Sequence, residues 1–163
     1  MLSQKMIDKL NEQVNLEMYS SNIYLAMSAW CASKGLVGSA KFLKDHSTEE
    51  LSHAYKLFDY INETGALAKV GQIDAPISDF VDIKDVFHKT YEHELKVSKS
   101  IFELVDAALN EKDYATFNFL QWYVTEQHEE EKLFKDILDK IDIIGTDGRG
   151  LFMIDREIGN LIK

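Results

Sequence analysis

Cysteine and proline each occur once in this chain, glycine eight times, and the 18 basic residues are outnumbered by 28 acidic ones. A lone Cys31 cannot close an internal disulfide or build a two-cysteine metal module. Sparse proline and glycine leave long stretches in which nothing interrupts a helix. With a formal net charge of -10, clustered lysine and arginine for a nucleic-acid groove are missing, so no nucleic-acid partner is expected. Cations are the guests that such a charge invites. No stretch approaches the roughly 18 uninterrupted apolar residues of a membrane span, so no membrane association is expected either. The start (Met1, Leu2, Ser3, Gln4, Lys5) lacks the apolar run of a secretory signal, which makes the cytoplasmic compartment the expected one. At 163 residues the chain is expected to form a single domain, residues 1–163.

What is abundant is helical periodicity. The apolar pattern predicts four long helices over residues 3–33, 38–64, 82–110 and 113–142, and a short fifth over 151–161. Gly35 and Gly65 stand where left-handed C-caps would stop the first two, Asp82 stands at the N-cap of the third, and Gly145 follows the fourth. Three connections are tight. The segment 66–81, with Gly71 and Pro76, is long and reads as an overhand crossover joining two antiparallel hairpins. The expected fold is all-α: a four-helix bundle with a long connection between its second and third helices and a short fifth helix at the C-terminus.

Each long helix carries a seam of 3-4 spacing, the mark of a left-handed bundle. The first reads Ile7, Leu10, Val14, Glu17, Ser21, Tyr24, Ser28, Cys31, and the second Leu43, His46, Glu50, His53, Leu57, Tyr60. The third reads Phe87, Thr90, Glu94, Val97, Ile101, Leu104, Ala108, and the fourth Leu120, Tyr123, Gln127, Glu130, Phe134, Ile137, Ile141. Every seam therefore turns a glutamate inward. Glu17, Glu50, Glu94 and Glu130 all lie near the middle of their helices, within about 5 Å of a common height at 1.5 Å per residue. Buried carboxylates without a compensating charge are costly, and the seams offer no lysine or arginine. Two divalent cations shared among four carboxylates and His53, spaced i, i+3 from Glu50, would satisfy them. Hard oxygen donors with one imidazole suit iron or manganese.

At these residues the chain resembles the bacterial non-haem ferritins, within the ferritin-like di-iron carboxylate family, and the resemblance runs along its whole length. The stretches LNEQVNLEMYSSNIY, HSTEELSH and NFLQWYVTEQHEEEKLF sit where that family carries its metal ligands. The resemblance implies that Glu17, Glu50 and His53 hold one iron, that Glu50, Glu94 and Glu130 hold the second, that Glu50 bridges the pair, and that Gln127 lies beside them. Bacterioferritins are similar but carry a second Glu-x-x-His on the fourth helix, where this sequence runs Gln127, His128, Glu129, Glu130. Haem-binding relatives use a methionine on the second helix, which has none here, so no haem is expected. Rubrerythrins would add a Cys-x-x-Cys module. The small DNA-protecting ferritins lack a fifth helix.

Glu49, Glu126 and Glu129 are like charges crowded at helical spacing, and they resemble the family's third iron site. The other reading is an ordinary acidic surface face. Tyr24 is two turns from Glu17 and reads either as a hydroxyl partner and electron donor of the metal centre or as a core tyrosine. His46 reads as a satisfied core histidine or an outer partner of the ligands. Trp122 reads as packing near Gln127, and His88, His93 and His128 fall off the seams as surface or interface residues. The implied function is that of an iron-storage subunit with ferroxidase activity. It would oxidise Fe(II) with oxygen or hydrogen peroxide and deposit mineral in a homo-oligomeric shell of 24 subunits, with the fifth helix lining the fourfold axes. The alternatives are a di-metal peroxide-consuming oxidoreductase without storage and a metal-free structural helical oligomer.

Overall fold

A computed structural model describes residues 2–161; Met1, Ile162 and Lys163 of the expected domain lie outside the described residues. Five helices follow one another: α1 (Gln4–Ser33), α2 (Val37–Glu63), α3 (Ile83–Asn110), α4 (Tyr114–Ile144) and α5 (Gly148–Gly159). Four of them begin at a side chain that accepts a backbone N–H left without an intrahelical partner. Ser3 accepts from Met6 N at 3.0 Å, Asp82 from Asp85 N at 2.8 Å, Asp113 from Thr116 N at 3.1 Å and Asp147 from Gly150 N at 2.9 Å. Each cap stabilises its helix by about 1 kcal/mol. Gly35, Gly65 and Gly145 follow α1, α2 and α4 with φ of +78°, +83° and +82°, a region in which a side chain would be strained.

α5 starts three residues before position 151, because Asp147 caps it and Gly150 fits where a Cβ would stand 2.6 Å from the Gly145 carbonyl oxygen. α2 has no cap of its own, since Leu36 stands at its N-cap position. Its cap comes from α5, whose Asp155 carboxylate accepts Gly38 N at 3.0 Å and Ser39 N at 2.8 Å. The two helices approach closely enough that a Cβ on Gly38 would fall 2.0 Å from the Asp155 carbonyl oxygen. Gly38→Ala is therefore expected to lift α5 from α2 and destabilise the fold by roughly 2 kcal/mol or more. A lower melting temperature and new proteolysis between α4 and α5 would show it. An unchanged melting curve with α5 still protected would mean that this contact contributes nothing.

The long helices pair α1 with α2 and α3 with α4, while α5 packs on α2 and α4. The apolar core is divided in two. One cluster holds Tyr24, Met27, Leu43, Phe87 and Phe134; the other holds Leu10, Val14, Leu57, Val97, Leu120 and Tyr123. Along α1 and α4 the chain passes from the second cluster to the first, and along α2 and α3 from the first to the second. Each hairpin is thus antiparallel, α2 and α3 run the same way, and their connection must travel the length of the bundle. Asn11 and Asn15 hold it there: Lys69 N donates to Asn11 Oδ1 at 2.6 Å and Gly71 N to Asn15 Oδ1 at 2.7 Å. The chain forms a four-helix bundle with a long connection between α2 and α3 and a short C-terminal helix, as the sequence predicts. Among the described residues no helix is long and apolar enough to cross a membrane.

Candidate metal centre

Between the two apolar clusters lies a polar slab, and its members come from all four long helices. Glu17, Glu50, Glu94 and Glu130 fall within three residues of the middle of α1, α2, α3 and α4. All four are 2% exposed or less, and His53 and Gln127 are each 3% exposed. Of the 28 seam positions, only Ile7 and Tyr60 are partly exposed; the rest are buried. No lysine or arginine among the described residues is buried. The slab is thus acidic groups and imidazoles enclosed by hydrocarbon above and below.

Glu17, Glu50 and His53 bring one ligand atom each within 4.8 Å of one another. His53 Nδ1 is 3.5 Å from Glu50 Oε2. Glu17 Oε1 accepts from Gln13 Nε2 at 2.8 Å, and Gln13 Oε1 in turn accepts from Ser100 Oγ at 2.6 Å. The other oxygen, Glu17 Oε2, is buried and receives no N–H or hydroxyl donor; its carboxyl can hydrogen-bond the neighbouring Glu50 only while one of the two holds a proton. Such an atom normally costs a folded protein 1–3 kcal/mol or so, and a cation beside it removes that cost. Glu94 is held differently. Tyr24 Oη donates to its Oε1, and Gln127 Nε2 donates to its Oε2 at 2.9 Å. In this conformation Glu94 belongs to none of the three-residue groups with donor atoms that close.

Burial, and then the charge of Glu50, push the Glu17 carboxyl from 4.5 up to about 8. Glu94 rises to about 7, from burial and then Glu130. Glu50 is raised well above the usual carboxylate range by burial, with Glu94 and Glu130 adding to it. Without a cation, then, the slab stays tolerable at neutral pH by holding protons. A metal ion in the same place would supply positive charge and release them.

Glu49 and Glu126 are half-buried and lie with His53 in a second group of donors within 4.8 Å, whereas Glu129 is exposed and belongs to no such group. His46 is buried, with Nε2 3.2 Å from Glu130 Oε2 and 4.0 Å from Glu49 Oε2. Trp122 meets the His53 ring edge-on at 5.2 Å between centroids, and the Lys56 amine lies 4.5 Å from its ring centre. His88 and His128 are exposed. His93 departs from the sequence expectation of a surface or interface histidine. It is buried, hydrogen-bonded to Ser20 Oγ at 2.7 Å, and burial followed by Lys96 lowers its pKa to about 4. The seam on α3 is wide enough to draw the residue beside Glu94 inward, which a strict 3-4 pattern does not show.

The model of the ferritin-like domain family matches residues 7–144, the segment holding every residue of this centre. The chain belongs to the ferritin family. It is 56% identical to a probable bacterial non-heme ferritin-like protein of Haemophilus influenzae over 99% of this chain and 98% of that one. It is 49% identical to the bacterial non-heme ferritin of Escherichia coli, over the same shares. Among solved structures, an open-pore ferritin of the archaeon Archaeoglobus fulgidus superposes with a TM-score of 0.96 at 42% identity, covering 99% of this chain and all of that one. Within this ferritin bundle, Gln13 and Ser100 are the residues that sequence reading missed. Gln13 sits one turn before Glu17 on the same side of α1, and that i, i+4 spacing was the available signal.

Proposed function

We propose that this chain is the subunit of an iron-storage protein: it oxidises Fe(II) at a paired site in the bundle and passes Fe(III) on as mineral inside a 24-subunit homo-oligomeric shell. The observation that carries this reading is the buried carboxylate and imidazole group around Glu17 Oε2, which no buried lysine or arginine compensates. Glu17, Glu50 and His53 would hold one Fe(II), and Glu50, Glu94 and Glu130 the other, with Glu50 between them. Gln127 and Tyr24 orient Glu94 by the two hydrogen bonds described. Tyr24 would also supply an electron during oxidation.

The electron count closes without a resident cofactor. Two Fe(II) give up two electrons, which oxygen takes with two protons to become hydrogen peroxide, or which peroxide takes with two protons to become water. Glu17 and Glu94, protonated at or below about pH 8 and 7, release protons into the slab when a cation displaces them. Carboxylate donors stabilise the ferric state through their negative charge. A set with a single imidazole and several exchangeable carboxylates also lets product ions depart, which storage requires.

Two expected outcomes follow. Gln13→Ala frees Glu17 from its positioning amide and is expected to slow initial oxidation by about 10- to 100-fold, as loss of a ligand's supporting hydrogen bond typically does. Rapid-mixing kinetics on the assembled protein check this, and an unchanged rate would remove Gln13 from the account. Glu126→Ala, beside Glu49 and His53, is expected to slow later turnovers more than the first. Equal loss in both phases would contradict a separate third site.

The reading as a whole is tested by titrating anaerobic Fe(II) into purified apo-protein, admitting air and counting the ferric ions kept in solution. Retention of hundreds per oligomer supports storage. A single pair per chain indicates a catalytic centre without storage, and none indicates a metal-free scaffold.

A further inference from the structure

We propose that Ser98 and Glu131 are positioning residues of the paired centre: together they hold the Gln127 amide with its NH2 group toward Glu94, and so set how tightly the ion on the Glu94 side is bound. The inference rests on the reading of the bundle as an Fe(II) carrier.

The hydrogens in this corner of the slab can be counted. Gln127 Nε2 carries two, and three acceptors surround it: Glu94 Oε2 at 2.9 Å, the Glu94 backbone carbonyl oxygen at 3.4 Å and Ser98 Oγ at 3.4 Å. Ser98 is 3% exposed and has a single hydroxyl hydrogen, which it donates to Glu131 Oε1. A carboxylate offers acceptors alone, so Glu131 commits that hydrogen and leaves the Ser98 lone pairs for Gln127. Turned over, the amide would set its carbonyl oxygen against these same acceptors, losing buried hydrogen bonds and gaining a repulsion.

The sequence places the four side chains in two steps of one helical turn. Ser98 follows Glu94 by four residues on α3, and Glu131 follows Gln127 by four on α4, so each pair shares a face of its helix. Glu131 is partly exposed, while Ser98, Gln127 and Glu94 are buried. The run of hydrogen bonds therefore starts at the edge of solvent and ends on a carboxylate of the metal centre, and the direction of every bond is set at the solvent end.

An anchor is needed because Glu94 has to move. In this conformation its oxygens are taken by Tyr24 and Gln127, and it joins none of the groups whose donor atoms close. To bond an ion beside Glu130 it must turn, and its hydrogen bond to Gln127 stretches as it does. Ser98 and Glu131 do not take part in that movement. They keep the amide oriented, and Glu94 turns against a donor already in place. Outer partners of metal ligands typically change affinity by about 10- to 100-fold, and Ser98, acting through Gln127, belongs at the lower end.

The test uses crystals of the assembled protein soaked in graded Zn(II), with anomalous maps at the zinc edge for the wild type, Ser98→Ala, Ser98→Thr, Glu131→Ala and the Ser98→Ala, Glu131→Ala double variant. The peak at Glu17 and His53 and the peak at Glu94 and Glu130 report the two halves of the centre separately. In Ser98→Ala the Glu94-side peak is expected to need about 10-fold more zinc for half occupancy, while the Glu17-side peak fills as in the wild type. Ser98→Thr keeps the hydroxyl and is expected to restore the first peak. Glu131→Ala is expected to weaken the same peak and to add no further loss on top of Ser98→Ala, because it acts through that hydroxyl. An unchanged Glu94-side peak in Ser98→Ala overturns the proposal, as does an equal loss at both peaks, which would mean general damage to the bundle. A full additional loss in the double variant also overturns it, since Glu131 would then act by its charge alone. A wild type with only the Glu17-side peak overturns this proposal and leaves metal binding standing. A wild type with neither peak overturns the functional reading and this proposal together.

Discussion

Replacing Glu50 with alanine is expected to abolish the fast phase of Fe(II) oxidation, by roughly 100-fold or more, while the oligomer still assembles. Glu50 is the carboxylate tied to all the others: it faces His53 at 3.5 Å, shares the donor group with Glu17, and feels the charges of Glu94 and Glu130. Its removal leaves the two sets of ligands without a common member. The isosteric Glu50→Gln separates this from simple damage to the fold. Because Glu50 is raised well above the usual carboxylate range by burial and by two neighbouring glutamates, its charge burdens the apo-protein. Glu50→Gln should therefore melt higher than wild type without metal at pH above the ordinary carboxylate range, and oxidise Fe(II) as poorly as the alanine variant. Stopped-flow absorbance, size-exclusion chromatography and calorimetric melting report the three properties. Survival of the fast phase in either variant would remove Glu50 from the bridging position.

The second large effect is on pH. A carboxyl whose folded pKa is raised binds protons more tightly in the native state, so between its unfolded and folded values the native chain carries more protons than the unfolded one. Stability then falls as pH rises through that interval. Glu17 moves from 4.5 to about 8 and Glu94 from 4.5 to about 7, so the metal-free protein should lose stability progressively from about pH 4.5 to about pH 8. At about 1.4 kcal/mol per unit, Glu17 alone accounts for a loss on the order of 5 kcal/mol across that window. Zinc or anaerobic Fe(II) should restore the loss, flatten the pH profile and release protons on binding at pH 7, measurable with a pH-stat. A metal-free protein as stable at pH 8 as at pH 5, or ions bound without proton release, would mean that these carboxyls are not held protonated in the slab.

The bundle was legible in the sequence because its signals are local. Ser3, Asp82 and Asp113 cap helices from their own first turns, and Gly35 and Gly65 end them where the backbone turns left-handed. The seams were legible for the same reason: a 3-4 pattern carrying a glutamate at mid-length on each of four helices fixes which side chains face inward. What lies between distant elements was not legible. The cap of α2 comes from Asp155, 117 residues beyond Gly38, and nothing around Leu36 announces it. His93 looked exposed because it lies off the seam, and its burial depends on Ser20 across the bundle. Gln13 is ordinary helix sequence until Ser100 fixes its amide and leaves the N–H side for Glu17. Among the acidic trio likened to a third iron site, spacing alone could not tell Glu129, which is exposed, from Glu49 and Glu126, which gather with His53.

The central claim is that carboxylates from four helices meet at mid-height in a place where only bound cations let all of them carry their charge. Anomalous diffraction at the iron edge, from crystals of the assembled protein soaked aerobically in ferrous salt, tests it most directly. The account predicts two peaks flanking Glu50, one bonded to Glu17 and His53 and the other to Glu130, with Glu94 turned toward the second. Clear density for all four carboxylates with no iron within bonding distance of any of them would contradict it.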